Sequence, residues 1–376
     1  MTQSTSPVLF SPFLLATDGS PSARLAQKLL IVIAQTVQAE RNGSGRSLIT
    51  VLTVQPRRSS RSKVHIRKEP APSPLAETAQ PSTTAIHDAP EVAAAANPAD
   101  HAGDLAATVQ ADFPANMPIS SQVRQGRPAI EILNCARLIR AGLIAVGSRG
   151  TSGMRGRLIG SVSAVIARYA PCSVLVARGA AVPSDVEPSL HHILLVVSDA
   201  PATQDAIATA QQLVPAGVQR ITILYAQPPL NADYLFGPFA TPTPSWQLSQ
   251  SLQDAQREQS EQILQQSKAA LTALNVDVYT VRQTGEPGPL ICQVAQQQQV
   301  DLIVLGGNVM RRWLNLSPGD ALLPLQSLRR PKPSDPESVK PLPVLRNTRL
   351  SAAEDFTIHH APCPVLLCRS TPAVSK

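Results

Sequence analysis

Residues 126–147, GRPAIEILNCARLIRAGLIAVG, align without a gap with residues 285–306, GEPGPLICQVAQQQQVDLIVLG, at an offset of 159. Both segments run Gly, any residue, Pro, a helix-length stretch, an apolar strand and Gly. Two more echoes keep the same order: FLLATDGSPSA from Phe13 with ILLVVSDAPAT from Ile193, and APCSVLVAR from Ala170 with APCPVLLCR from Ala361. A repeat this long means one fold built twice, and the 376 residues suffice for two domains of about 100–200 residues each. The polar junction AAVPSDVEPS, residues 180–189, divides the chain into expected domains at 1–180 and 188–376.

Within the first copy, short apolar runs alternate with helical periodicity. Phe13 to Thr17 reads as a buried strand, and Ser20 to Glu40 follows with Leu25, Leu29, Val32 and Ile33 at helical spacing. Further strands are expected at Ser47–Val54, just before Gly126, at Leu143–Val146 and at Ser173–Ala177, with helices starting near Pro128 and ending near Tyr169. Alternation of this kind implies right-handed crossovers and a mostly parallel sheet, an α/β fold present twice. Aromatic residues make up only 3% of the chain, so aliphatic side chains must build its core. The second copy repeats the pattern with a longer second helix, whose apolar face is read as Leu248, Leu252, Ala255, Ile263, Ala270 and Leu274.

Three segments break the alternation. Residues 56 to about 118 are rich in Pro, Ala and Ser and read as a disordered insert, apart from a candidate helix at Glu91–Asp112. Residues 228–245 form a Pro-rich loop, and residues 311–349, with seven prolines, split the second copy after its fourth strand. The inserts also explain the charge. Residues 57–70 and 311–349 each carry +5, together +10, which exceeds the net +7 and leaves the remainder at −3. A solvated basic insert without interleaved aromatics is a poor nucleic-acid surface, so nucleic acid is not an expected partner. The longest apolar run, Leu29–Ala34, is far too short to span a bilayer, and the first residues lack a charged n-region and a cleavage site. A cytoplasmic protein without membrane contact is expected. Five scattered cysteines form no CxxC pair, and the seven histidines lack carboxylates at metal spacing, so buried thiols are expected and no metal site.

The chemistry lies after the fourth strand of the first copy, in VGSRGTSGMRGRLIGSVS. Gly147 at the carboxyl end of a parallel strand allows a tight turn and close backbone approach. Gly160-Ser161 opens a helix whose free N–H groups and positive dipole end suit a phosphate. Ser161 and Ser163 add hydroxyl donors, and Arg149, Arg155 and Arg157 add cations. Ligands of open parallel sheets bind beyond the strands' carboxyl ends where strand order reverses, and Asp18 in TDGS faces that crevice. Its carboxylate would accept from a ribose hydroxyl or an adenine amino group, or would cap the following helix. No HxGH, SGGxDS or GxSxG signature accompanies these residues, so no catalytic set is nominated beyond slow ATP hydrolysis.

With Gly147-x2-Gly150-x9-Gly160-Ser161, TDGS and PCSVLVAR, the chain resembles the universal stress protein family in its tandem form. The resemblance implies two doubly wound five-stranded parallel sheets of order 3-2-1-4-5, like adenine nucleotide alpha hydrolases, and frequent dimerisation through the last strand. It also implies ATP, with or without magnesium, as the ligand. By position, Ala16, Asp18 and Val54 would line the adenosine side. Gly147, Ser148, Arg149, Gly150, Thr151, Gly160, Ser161, Val162 and Ser163 would hold ribose and phosphates. The second copy departs from this pattern. Asp199 supplies a carboxylate and Gly306 the first glycine, but Val309 replaces the second glycine and cannot readily adopt positive φ. Ser351 and Ala352 stand where Gly160 and Ser161 do. The expectation is one adenine nucleotide in the first domain and none in the second. The second would pair with the first as a pseudo-dimer, with homodimerisation or a protein partner in a stress-response or signalling role. The alternative is a scaffold that acts through its inserts and sheet edges.

Overall fold

The computed structural model describes residues 12–39, 48–55, 98–150, 159–178, 188, 190–229, 246–307 and 350–369. In the first half, strands β1 (Phe13–Ala16), β2 (Ile49–Gln55), β3 (Ile119–Gln125), β4 (Leu143–Gly147) and β5 (Ser173–Ala177) alternate with helices. The helices are α1 (Pro21–Ala39), α2 (Pro98–Ala111), α3 (Pro128–Ile139) and α4 (Ser161–Tyr169). The second half repeats the order: β6 (His192–Val197), α5 (Ala202–Leu213), β7 (Arg220–Gln227), α6 (Trp246–Thr272), β8 (Asp277–Thr284), α7 (Pro287–Gln297), β9 (Leu302–Gly306), α8 (Ala352–His360) and β10 (Val365–Cys368). β1, β5, β6, β9 and β10 are buried along their whole length, as strands covered by helices on both faces must be. β3 and β8 alternate between half-buried and exposed positions, which suits edge strands.

The ten strands form one sheet in the order β3-β2-β1-β4-β5-β10-β9-β6-β7-β8. All pairings are parallel except the central one, where β5 and β10 run antiparallel with Leu175 opposite Leu366. The two copies are thus related by a pseudo-twofold axis through that pair. One apolar core under α1, α2, α5 and α6 and another under α3, α4, α7 and α8 each run through both halves. The joint is reinforced by an exchange of arginines. Arg178, just after β5, donates to Ile358 O at the end of α8 (2.9 Å), while Arg369, just after β10, donates to Ala170 O (2.8 Å) and Ala167 O at the end of α4. Each guanidinium satisfies carbonyls that a helix C-terminus leaves open, and its charge opposes the negative end of the helix dipole. Burial lowers the basicity of Arg369, and the nearby Glu354 carboxylate works against that.

Some sequence expectations change. The stretch read as disordered to about residue 118 is ordered from residue 98: the helix expected at Glu91–Asp112 is α2, Pro98–Ala111. Val109, Phe113 and Met117 are buried in the first core and Ala106 is buried on the same helix, an apolar spacing that the surrounding Ala- and Pro-rich composition obscured. Residues 56–97, the 228–245 loop from residue 230 onward and the 311–349 insert lie outside the described residues. On α6 the buried stripe is Ser260, Leu264, Ser267 and Leu271, with Ile263 and Leu274 half-buried; Ala255 and Ala270 face solvent. Small hydroxyl residues occupy the buried stripe because each bonds a carbonyl of its own helix, Ser260 to Arg257 O and Ser267 to Ile263 O. No described helix is long and apolar enough to cross a membrane.

Candidate functional site

The crevice lies where the strand order turns, between β1 and β4, at their carboxyl ends. After Ala16 the chain turns through Gly19, whose φ of 75° favours glycine. Asp18 Oδ1 accepts from Ser20 N (3.1 Å), and Ser20 Oγ accepts from Ala23 N (3.3 Å). Ser20 therefore caps α1, with Pro21 at the first helical position, and Asp18 is not the cap. Its carboxylate faces the glycine loop: a Cβ on Gly150 would lie 2.6 Å from Asp18 Oδ2.

Gly147 ends β4 between two helix starts. A Cβ there would lie 2.6 Å from Ala23 N and from Ser22 Oγ, and Ser163 Oγ donates to Gly147 O (2.5 Å). Buried Ser148 extends the ladder through Ser148 N to Ala177 O (2.8 Å) and closes the base of the loop by accepting from Gly160 N (2.7 Å). Gly160, with φ −68° and ψ 152°, is the N-cap of α4 and supplies no side-chain cap. The first-turn amides of Ser161, Val162 and Ser163 thus depend on partners from outside the helix, at its positive end. Ser161 is exposed, Val162 half-buried and Ser163 buried.

The structure brings Asp18, Gly147, Ser148, Arg149, Gly150, Gly160 and Ser163 into one bonded or touching group. Ala16 is buried and Val54 half-buried, both on the core beneath α3 and α4. Thr151, like Arg155 and Arg157, lies outside the described residues. Gly147 makes the close backbone approach that the sequence reading gave it, whereas Gly150 lacks the positive φ expected of the second glycine and instead stands against the Asp18 carboxylate. Two residues escaped that reading. Ser20 Oγ and Ser22 Oγ both donate to Arg149 O (2.9 and 2.6 Å), and Arg149 N donates back to Ser22 Oγ (3.2 Å). Their signal was a pair of hydroxyls two residues apart at the start of α1, which reads like ordinary capping.

The sequence profile described as "Universal stress protein family" matches residues 10–178 and 189–316. The chain belongs to the universal stress protein family. Universal stress protein YxiE of Bacillus subtilis is 47% identical over 53 residues, 14% of this chain and 36% of that protein. The match thus spans about a third of that relative's length. Among solved structures, a putative universal stress protein from Pseudomonas aeruginosa UCBPP-PA14 aligns over 96% of this chain and 93% of its own, with 12% identity and a TM-score of 0.52. A functionally unknown protein from Pseudomonas aeruginosa PAO1 aligns over 96% and 92%, also at 12% identity, with a TM-score of 0.53. These two likenesses concern the fold.

The two universal stress repeats differ where the crevice lies. Register places Ser198, not Asp199, in the position of Asp18: Ala16 pairs with Val146 and Val196 with Leu305, and Ala200 N donates to Ser198 Oγ (3.2 Å) as Ser20 N does to Asp18. Asp199 stands one residue on, where the first repeat has Gly19. Ala200 and Ala202 replace Ser20 and Ser22, and Gly306 persists because a Cβ would run into Ala202 O. At the start of α8, Ser351 Oγ accepts from Glu354 N (3.2 Å) and Ser351 N donates to Glu354 Oε2 (2.7 Å). This capping box engages Glu354 N, whose counterpart Ser163 N has no side-chain cap in α4, and its buried carboxylate stands at the helix end that would otherwise attract an anion. Val309 lies outside the described residues.

The remaining reactive side chains are quiet. Burial pushes the thiols of Cys172, Cys363 and Cys368 up to about 12 and that of Cys292 to about 11, and it raises Cys135 as well. Thiols this far from ionising are poor nucleophiles and metal ligands. Among the described residues, no group of three or more His, Cys, Asp or Glu could hold a metal ion.

Proposed function

We propose that the first universal stress repeat binds an adenine nucleotide, ATP or its hydrolysis product, and that the second does not bind one in the same way. The single observation that carries this is the contrast between two equivalent helix starts. α4 opens on a glycine without a side-chain cap beside the glycine loop, whereas α8 opens on a capping box with a buried glutamate. In this reading the amides of Ser161, Val162 and Ser163 and the backbone from Gly147 to Gly150 receive the phosphates. Ser163 contributes its amide, because its hydroxyl proton is engaged by Gly147 O. Asp18, an acceptor-only carboxylate beside Gly150, takes a ribose hydroxyl or the adenine amino group, with Ala16 and Val54 on the apolar side. Arg149, and by sequence position Thr151, are assigned to the same ribose and phosphate side, and any magnesium would be held chiefly by the phosphates. The second repeat, joined to the first by the chain itself and hydrogen-bonded to it through the β5–β10 pair, acts as built-in partner in place of a second chain. The unit boundaries fall near residues 1–180 and 188–376, and nucleotide occupancy is the signal a stress-response partner reads.

The test is to denature the purified full chain and identify released nucleotide by chromatography and mass spectrometry. A single equivalent of ATP or ADP per chain supports the reading. No nucleotide, with no calorimetric signal on adding ATP, favours the scaffold alternative. Two equivalents would refute the asymmetry between repeats.

A further inference from the structure

The hydroxyls of Ser20 and Ser22 do more than start a helix. Both point across to β4's outgoing loop and converge on one residue: Arg149 O accepts from Ser20 Oγ at 2.9 Å and from Ser22 Oγ at 2.6 Å, while Arg149 N donates to Ser22 Oγ at 3.2 Å. A hydroxyl that donates to the carbonyl and accepts from the amide of one residue fixes that residue's backbone orientation. Arg149 lies between Ser148, held to Ala177 and Gly160, and Gly150, which faces Asp18 Oδ2. Ser148 and Arg149 are therefore both tied by their backbone, and among the described residues the α1 side of the tie depends on two hydroxyls. The second repeat supplies the internal comparison. It has Ala200 and Ala202 at these positions, along with Ser198 for Asp18 and a filled helix start at α8.

We infer that Ser20 and Ser22 are positioning residues that hold the glycine loop in its ligand-ready shape by clamping the Arg149 backbone. The inference rests on the nucleotide reading of the same site. Ser20 also caps α1, so Ser22 is the cleaner probe: it accepts no described hydrogen bond from its own helix's backbone. Pre-organised loops bind more tightly because the ordering cost is met before the ligand arrives.

Two measurements on the full chain separate the clamp from the site. The first is ATP titration calorimetry on wild type, Ser22→Ala, Ser22→Thr and Asp18→Asn. Ser22→Ala is expected to weaken ATP by about tenfold, the loss of a hydrogen-bond pair, and Ser22→Thr, which keeps the hydroxyl, to restore most of it. The second is amide hydrogen exchange over residues 148–150 without nucleotide. Exchange at Arg149 should quicken in Ser22→Ala, because its amide loses its acceptor, and should stay at the wild-type rate in Asp18→Asn, which keeps the bond to Ser20 N. Unchanged exchange in Ser22→Ala overturns the clamp, as does wild-type ATP affinity in that variant. If wild type binds no ATP yet exchange quickens in Ser22→Ala, the clamp stands and the nucleotide reading falls. An unfolded Ser22→Ala chain that Ser22→Thr does not rescue would make the serine structural and sink the inference.

Discussion

The glycines at 147 and 150 should fail in different ways when each gains a methyl group. On Gly147, a Cβ would lie 2.6 Å from Ala23 N and 2.7 Å from the backbone carbon of Ser22. Non-bonded heavy atoms prefer about 3.5–4.0 Å, so the overlap is roughly 1 Å against helix backbone that cannot swing aside. Forced overpacking of this kind typically costs about 1–3 kcal/mol, or a melting temperature lower by roughly 2–10 °C for a unit of this size. On Gly150, the atoms within reach among the described residues belong to Asp18, its Oδ2 at 2.6 Å and Cγ at 3.9 Å. A carboxylate at the end of a side chain can rotate away, so Gly150→Ala should change stability by less than about 0.5 kcal/mol. The rotation moves Asp18 from the position proposed for the nucleoside, and losing a hydrogen bond to a charged acceptor corresponds to about a 10- to 100-fold drop in affinity. Gly150→Val should do the same more completely, and Val309→Gly should confer no second site. Thermal denaturation by circular dichroism and ATP calorimetry on the full chain decide the matter. Equal loss of stability in Gly147→Ala and Gly150→Ala would refute the steric reasoning, and intact ATP binding in Gly150→Val would refute the role given to Asp18.

Two further outcomes follow from the joint and from one buried histidine. Arg369→Ala removes guanidinium bonds to Ala167 O and Ala170 O and should destabilise the chain by about 2–4 kcal/mol, whereas Arg168→Ala, which breaks a 2.7 Å but solvent-exposed pair with Asp355, should cost less than about 1 kcal/mol; similar denaturation midpoints for the two variants would contradict this ranking. His192 donates to Thr222 Oγ1 (2.9 Å), which in turn donates to Gln298 Oε1 (2.8 Å), and burial, aided by Arg220, holds its pKa below the ordinary 6.5. The unfolded chain then takes up this proton first on acidification, so the stabilisation is complete above about pH 6.5 and declines as pH falls toward the depressed value. His192→Asn should lose less stability than wild type between neutral and mildly acidic pH in urea titrations, and an identical loss would show that other groups govern the acid limb.

The repeat at an offset of 159, the short aliphatic runs and the Gly147-Gly150-Gly160 spacing were all legible in one dimension, because each depends on local residue identity and period. They suffice for an α/β fold present twice and for nominating the first copy's glycine loop as the place of the proposed site. Other features required the chain to be folded. α2 was legible as a candidate helix at Glu91–Asp112, but its start at Pro98 and its place in the first core, through Val109 and Phe113, show only in the fold. Asp199 looks like the counterpart of Asp18 because it is the nearest carboxylate, yet the gapless echo already sets Ser198 opposite Asp18, and strand register with the Ala200 N bond fixes it there. Ser20 and Ser22 meet Arg149 across 129 and 127 residues, and Arg178 and Arg369 reach 180 and 199 residues to cap each other's repeat. Hydrogen bonds and steric contacts act over a few ångströms of space, with no regard to separation along the chain. Periodicity can therefore say which elements form, while only their packing decides which hydroxyl holds the loop, which helix start stays open, and that two repeats share one sheet.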